Sequence, residues 1–261
     1  MSRFETVARL YKRHFPFVNK LLLHGISYIC KKNIAMKLTH ISPSTLKFLK
    51  DIKKNNDREW FAKNKPRYQE EHGQFKLFAQ TVMDEMNKID HIEDVKVFRI
   101  YRDSRFSKDK TPYKVHFAGG LKRATARLRG GYYFHIEPGN SMIAGGFWAP
   151  SPPDLKRIRE EIAVDDTSLR KIINAANFKK TFGTLNGNKV KTAPRGFPKD
   201  HPAIDLLQYK QYIVHRNFTD KEVTDPKFVK EIVKTYKALL PFFNYMSDVL
   251  TTDSNGVSLL D

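Results

Sequence analysis

The sequence predicts an α+β fold, with a mostly antiparallel sheet flanked by N-terminal and C-terminal helices in a single domain. Three observations carry this. Helical patterns come first, β-like segments then cluster, and helices return with one late strand. The clustered strands include a hairpin closed by a tight turn. Strands and helices do not alternate as a doubly wound α/β fold requires.

The elements follow in order. Ser42-Pro43-Ser44 offers a capping serine and a proline at a helix start, followed by an apolar stripe of Leu46, Phe48, Leu49 and Ile52. KKNND breaks that helix, and Asp57 caps a short one bearing Trp60 and Phe61. Pro66 begins a longer helix with Phe75, Phe78, Ala79, Val82, Met83 and Met86 at helical spacing. Val95 to Asp103 and Tyr113 to Leu121 are β-like. Tyr132 to Glu137, the turn Pro138-Gly139-Asn140, and Ser141 to Trp148 form the hairpin. Strand alternation places Tyr132, Phe134 and Ile136 on one face and Tyr133, His135 and Glu137 on the other. Ser151-Pro152-Pro153-Asp154 caps a helix through Leu155, Ile158 and Ile162, and Thr167 to Asn177 forms the next. A Gly/Pro-rich loop leads to a short helix at Ile204 to Leu207 and a last strand at Tyr209 to Phe218. Thr224-Asp225-Pro226 caps a final helix carrying Phe228, Ile232, Val233, Tyr236, Leu239 and Leu240.

Composition bounds the function. The 261 residues are 40% hydrophobic and 29% charged, as in a soluble globular protein rather than a disordered one. One cysteine, Cys30, excludes an internal disulfide and a Cys-based zinc site, and suits a reducing, cytoplasmic compartment. The net charge of +19 points to polyanionic or phosphorylated partners. Residues 1–35 carry seven Lys/Arg against one acid, without the apolar run of a membrane span or a clean secretory signal. They read as a basic N-terminal extension before a domain that starts at Met36, with a basic amphipathic membrane-surface helix or a transit-like peptide as the alternatives. Two stretches, Lys110 to Ile136 with six basic residues and Thr167 to Lys199 with eight, contain no acid at all, which suggests a basic face.

There is no phosphate-binding G-x-x-x-x-G-K-[ST] loop, no G-x-G-x-x-G after a strand, no H-E-x-x-H and no G-x-S-x-G. The notable stretch is RIYRDSRFSKDKTPYK, Arg99 to Lys114, where six basic residues face two aspartates. The candidate anion ligands are Arg99, Arg102, Arg105, Lys110 and Lys114, because guanidinium forks match phosphate and carboxylate oxygens. Asp103 is the candidate orienting group or base, with Lys110 and Tyr113 completing the catalytic set. The competing reading is an internal network in which Asp103 pairs Arg102 or Arg105 and Asp109 caps a turn. His116 and His135, on neighbouring strands, would form a two-His-one-carboxylate metal site if Asp103 or Asp109 joined them. No spacing fixes such a ligand set, so no metal ligand is assigned and the cofactor is left open. Tyr132 and Tyr133 with Arg127 and Arg129 offer a base-stacking surface, although adjacent tyrosines on a strand face opposite ways. Gly145-Gly146 allows a close backbone approach or marks a bulge. Lys191, Arg195 and Lys199 sit on a loop of the kind that carries binding residues.

The stretch resembles the signature of a bacterial family, with some fungal members, known as a domain of unknown function: R-x-x-R-D-x-R-F, then D-K and P-Y. Arg99, Arg102, Asp103, Arg105, Phe106, Asp109, Lys110, Pro112 and Tyr113 meet it. NNDREWF with NKPRY, and the YYFHIEPGNSMIAGGFWAP hairpin, are similar to the same family, so the resemblance covers about Met36 to Leu250. It implies no activity. The readings are therefore an enzyme acting on a phosphate-bearing or other anionic small molecule, a nucleic-acid-binding module, or a scaffold whose Arg–Asp network is structural.

Overall fold

The computed structural model describes residues 37–260 except 104, 106, 107 and 254, so the reading of residues 1–35 lies outside the described residues. Among the described residues three helices come first: α1 (Pro43–Lys54), α2 (Arg58–Lys63) and α3 (Lys65–Met86). The sheet strands β1 (Ile92–Val97), β2 (Phe117–Arg123), β3 (Gly131–Ile136) and β4 (Ser141–Phe147) follow. Helices α4 (Pro152–Val164), α5 (Thr167–Asn174), α6 (Ala176–Phe182) and α7 (Ile204–Leu207) lead to β5 (Tyr212–Phe218), then α8 (Asp220–Val223) and α9 (Phe228–Thr251). The strands form one antiparallel sheet in sequential order β1 to β5. The α+β expectation holds.

The helix starts are where side chains satisfy otherwise orphaned N–H groups. Ser42 Oγ accepts from Thr45 N–H, Asp57 Oδ1 from Trp60 N–H at 2.8 Å, and Ser151 Oγ from Asp154 N–H. Asp57→Ala removes a cap from a helix of one and a half turns whose Phe61 is core. We expect a loss of about 1 kcal/mol in chemical denaturation, and Asp57→Asn to restore most of it.

Sheet alternation decides which side chains meet the helices. Phe134 packs on Phe75 and Phe78 of α3, and Phe117 on Phe48 of α1 and Phe75. Tyr132 packs on Tyr236 and Phe243 of α9. The other face carries Tyr133, His135, Met142, Ala144, Ile213 and His215, mostly half-buried. Gly120, Tyr133, Ala144 and His215 lie in one cross-strand row, and Ala118, His135, Met142 and Asn217 in the next. Gly120 and Ala144 flank Tyr133, and Ala118 and Met142 flank a buried His135.

Several boundaries differ from the pattern reading. The expected helix over Thr167 to Asn177 is two helices, α5 and α6, meeting at Ala175. The last strand starts at Tyr212, because Tyr209 is bridged to Lys189 of the loop instead. Thr224-Asp225-Pro226 does not cap the final helix by side chain. Lys227 stands at its N-cap, while Asp225 accepts from Lys227 N–H and a short helix, α8, precedes it with a Thr219–Glu222 capping box. That helix also runs on past Pro241, where a proline costs one backbone hydrogen bond, because Phe242, Phe243 and Met246 beyond it are fully buried.

The β-like stretches at Val95 to Asp103 and Tyr113 to Leu121 are a paired ribbon in irregular register. Phe98 N–H donates to Ala118 O, Lys114 N–H to Ile100 O, and Arg102 N–H to Pro112 O. Val115, His116 and Phe117 therefore oppose only Arg99, which is a bulge with two extra residues. Asn56 holds this ribbon to the start of α2, its side chain donating to Tyr113 O and accepting from Tyr113 N–H.

Candidate functional site

The bulge matters because it presents His116 beside His135. Their ring centroids are 4.1 Å apart and their planes 33° from parallel. His135 and Glu137 follow from the alternation of β3, which brings Tyr133, His135 and Glu137 to one face. Tyr133 Oη lies 3.1 Å from His135 Nδ1, and His135 Nε2 lies 3.2 Å from Glu137 Oε2. Asn140 in the hairpin turn donates to Glu137 Oε2 at 3.1 Å, and Lys53 from the end of α1 lies 3.6 Å from Oε1. His116, His135 and Glu137 are the one set among the described residues whose ligand atoms lie close enough to hold a metal ion, all within 4.8 Å of one another.

Burial sets the protonation states. It lowers the pKa of His116 to about 4, helped by the neighbouring His135, and lowers that of His135 despite the hydrogen bond to Glu137. Burial alone raises the Glu137 carboxyl. The hydrogen bonds from Asn140 and His135 and the charge of Lys53 outweigh it, so the net shift is downward. Two neutral imidazoles and one carboxylate thus face each other at neutral pH.

A basic rim adjoins this group. Lys114 lies over the ring of Phe98 at 6.0 Å, and Phe98 is 6.3 Å from Tyr133. Burial, then the charges of Arg99 and Arg102, lower the pKa of Lys114. Arg102 Nη1 contacts Asp109 Oδ2 at 2.8 Å, yet its Nε is buried with no hydrogen-bond partner among the described residues. A buried charged donor left unpaired is costly.

The remaining signature residues are placed differently. Arg105 makes a two-pronged contact to Asp103, Nε to Oδ1 at 3.0 Å and Nη2 to Oδ2 at 2.7 Å, on an exposed surface. The guanidinium holds the Asp103 carboxyl below its usual range. Asp109 accepts from the backbone N–H and hydroxyl of Thr111, which lower its pKa. Lys110 is exposed. Tyr113 is 6% exposed and stacked on Phe61 at 4.0 Å, on the opposite side of the ribbon from Lys114. Arg102 and Arg105 therefore grip different aspartates. The charges of Arg99 and Arg102 both act on Lys114, and that of Arg99 also reaches Asp103, while Asp103, Arg105 and Lys110 stand on the loop between the ribbon's strands.

The surface expected from Tyr132, Tyr133, Arg127 and Arg129 does not form as a unit. Tyr132 is buried and donates to Asp90 at 2.6 Å, and Arg129 pairs with Asp154. Lys191, Arg195 and Lys199 are exposed on their loop. Two surface hollows, of about 410 and 500 Å³, lie at α1 and α8 and around His91 and Asn244. Neither gathers the signature residues.

Sequence reasoning missed Glu137 as the carboxylate of the histidine pair and proposed Asp103 or Asp109 instead. The signal was present: strict alternation puts His135 and Glu137 on one face, and only the bulge that brings in His116 was hidden. The model of a family described as "conserved hypothetical protein (DUF2461)" matches residues 44–245. No curated protein and no solved structure matches the chain.

Proposed function

Given that the chain belongs to the DUF2461 family of conserved hypothetical proteins, we propose that it binds an anionic, phosphate-bearing or carboxylate small molecule on the open sheet face and acts on it there. The observation that supports this best is the buried, unpartnered Nε–H of Arg102 beside a half-buried Lys114 already crowded by two arginines. An oxyanion between Arg102 and Lys114 satisfies the donor and relieves the like-charge repulsion together. Phe98 and Tyr133 supply an apolar wall, and His116 and His135 are neutral groups able to accept or relay a proton. In this reading Asp103 orients Arg105, Lys110 extends the positive rim, and Tyr113 anchors the ribbon through its stack on Phe61.

The test is calorimetric titration of the full chain with inorganic phosphate. We expect Arg102→Ala and Lys114→Ala each to weaken binding by roughly ten- to a hundredfold, the worth of a charge-assisted hydrogen bond, with little change in thermal stability. Affinity falls as pH rises through the lowered pKa of Lys114, before an ordinary lysine titrates. The sign is fixed because the bound anion favours the protonated amine. Variants that bind like the parent, or a parent that binds no phosphate, would sink the proposal. Binding of single-stranded nucleic acid with steep salt dependence and no affinity for phosphate would instead favour a polymer backbone as the ligand.

A further inference from the structure

We propose that His116, His135 and Glu137 form a binding site for one divalent transition-metal ion on the open face of the sheet. The site stands on its own ligands, whether or not the basic rim binds an anion.

The geometry is close to what such an ion needs. Neighbouring ligands of an ion held at about 2.1 Å lie roughly 3 Å apart. His135 Nε2 and Glu137 Oε2, at 3.2 Å, already have that spacing. His116 lies alongside, with all three ligand atoms inside 4.8 Å, so closure takes a side-chain adjustment of about an ångström. His135 and Glu137 sit on β3 and at its end, and the bulge in the hydrogen-bonded ribbon aims His116. His135 is thus on the sheet, Glu137 directly follows its strand, and His116 stands in a bulge held by backbone hydrogen bonds on either side.

The surroundings fit ligation as well. Metal-bound imidazoles commonly donate their second N–H to a fixed acceptor. In the tautomer whose Nδ1–H is donated to Tyr133 Oη, the Nε2 lone pair of His135 faces Glu137 Oε2 across 3.2 Å, and a metal ion takes the place of the proton that the other tautomer puts there. Asn140 and Lys53 hold the carboxylate from behind. The side chains of His135 and Glu137 are only 8% and 13% exposed, so water competes weakly for them. His116 makes no side-chain hydrogen bond among the described residues, and its ligand nitrogen lies inside the same cluster. A structural His–Glu pair has no use for a second imidazole stacked at 4.1 Å with its lone pair free, whereas a metal site does.

Two nitrogens and one oxygen select a borderline ion such as Zn²⁺, Co²⁺, Ni²⁺ or Fe²⁺ over Mg²⁺ or Ca²⁺, which take oxygen sets. Three protein ligands leave further coordination positions open, beside Arg102 and Lys114.

The full chain, stripped with a chelator and dialysed, is titrated with Co²⁺, followed by its visible absorption, and with Zn²⁺ by calorimetry. We expect one ion per chain. Glu137→Gln and His116→Gln each weaken it by tenfold or more, while Arg102→Ala, which removes a neighbouring cation and no ligand, does not weaken it. Because His116 is only half-buried, His116→Gln decides the matter if Glu137→Gln fails to fold by circular dichroism. Failure of the parent to bind Co²⁺, or equal binding by His116→Gln, overturns the proposal. Neither result depends on phosphate, so loss of metal binding and loss of anion binding are separable.

Discussion

Arg123→Met is expected to cost about 3–5 kcal/mol of folding stability. The Arg123 and Asp90 side chains are 1% and 6% exposed and bond at 2.7 Å (Nε to Oδ2) and 3.2 Å (Nη2 to Oδ1). The same guanidinium donates to Arg129 O, Ser247 Oγ and Asn244 Oδ1, and lies 5.0 Å over Phe243. Asp90 also accepts from the Tyr132 hydroxyl, which burial and that carboxylate together hold protonated far above the usual range. One guanidinium thus ties β2, the loop before β3 and the last turns of α9 together. Removing it leaves a buried carboxylate facing a phenol with no cation, and the uncompensated charge dominates the cost. Urea denaturation of Arg123→Met, Asp90→Leu and the double variant tests this. The double variant is expected to be much less unstable than the two single losses summed, because it removes both charges. Additive losses would mean the pair is not coupled as its geometry requires.

Gly146→Ala is expected to destabilise the sheet by on the order of 3 kcal/mol or more. Gly146 has φ +133°, and a Cβ there would sit 2.3 Å from Tyr212 O and 2.7 Å from Ile213 Cα. Both neighbours are backbone of β5 in register with β4, so neither can yield without breaking the pairing. Gly139→Ala is the control. It shares a positive φ, +75°, but meets nothing within 4 Å in its hairpin turn, so it should cost only about 1 kcal/mol. Equal losses in a thermal melt would show that strain at φ, not the close β4–β5 approach, sets the cost. Next door, a Cβ on Gly145 would lie 2.4 Å from Leu239 Cδ2 of α9. The Gly-Gly pair that reads in sequence as either close approach or bulge is thus a double close approach, with helix on one side and strand on the other.

Much of the fold was legible because it rests on local chemistry. Ser42, Asp57 and Ser151 cap as their residue types require. The apolar stripes of α1 and α3 are the buried ones, and period-two alternation sorted β3 correctly into Tyr132, Phe134 and Ile136 against Tyr133, His135 and Glu137. Where tertiary burial opposes a local rule, pattern reading stops short. Pro241 signals a helix end, but the aromatic core beyond it carries α9 on.

The candidate site divides the same way. The sequence by itself determined the excess of cations in RIYRDSRFSKDKTPYK, the presence of His116 and His135 near neighbouring strands, and the family signature. It did not determine who pairs with whom. Asp103 takes Arg105 and Asp109 takes Arg102, which leaves Glu137, a residue outside the signature, as the carboxylate beside the histidines. That choice depends on a two-residue bulge in the ribbon and on the register of β2 against β3. Both are set by hydrogen bonds between segments distant in sequence, and no local propensity encodes them. Composition fixed which charges are available. Only the folded sheet fixed which of them are buried together, and burial is what turns a run of charges into a site.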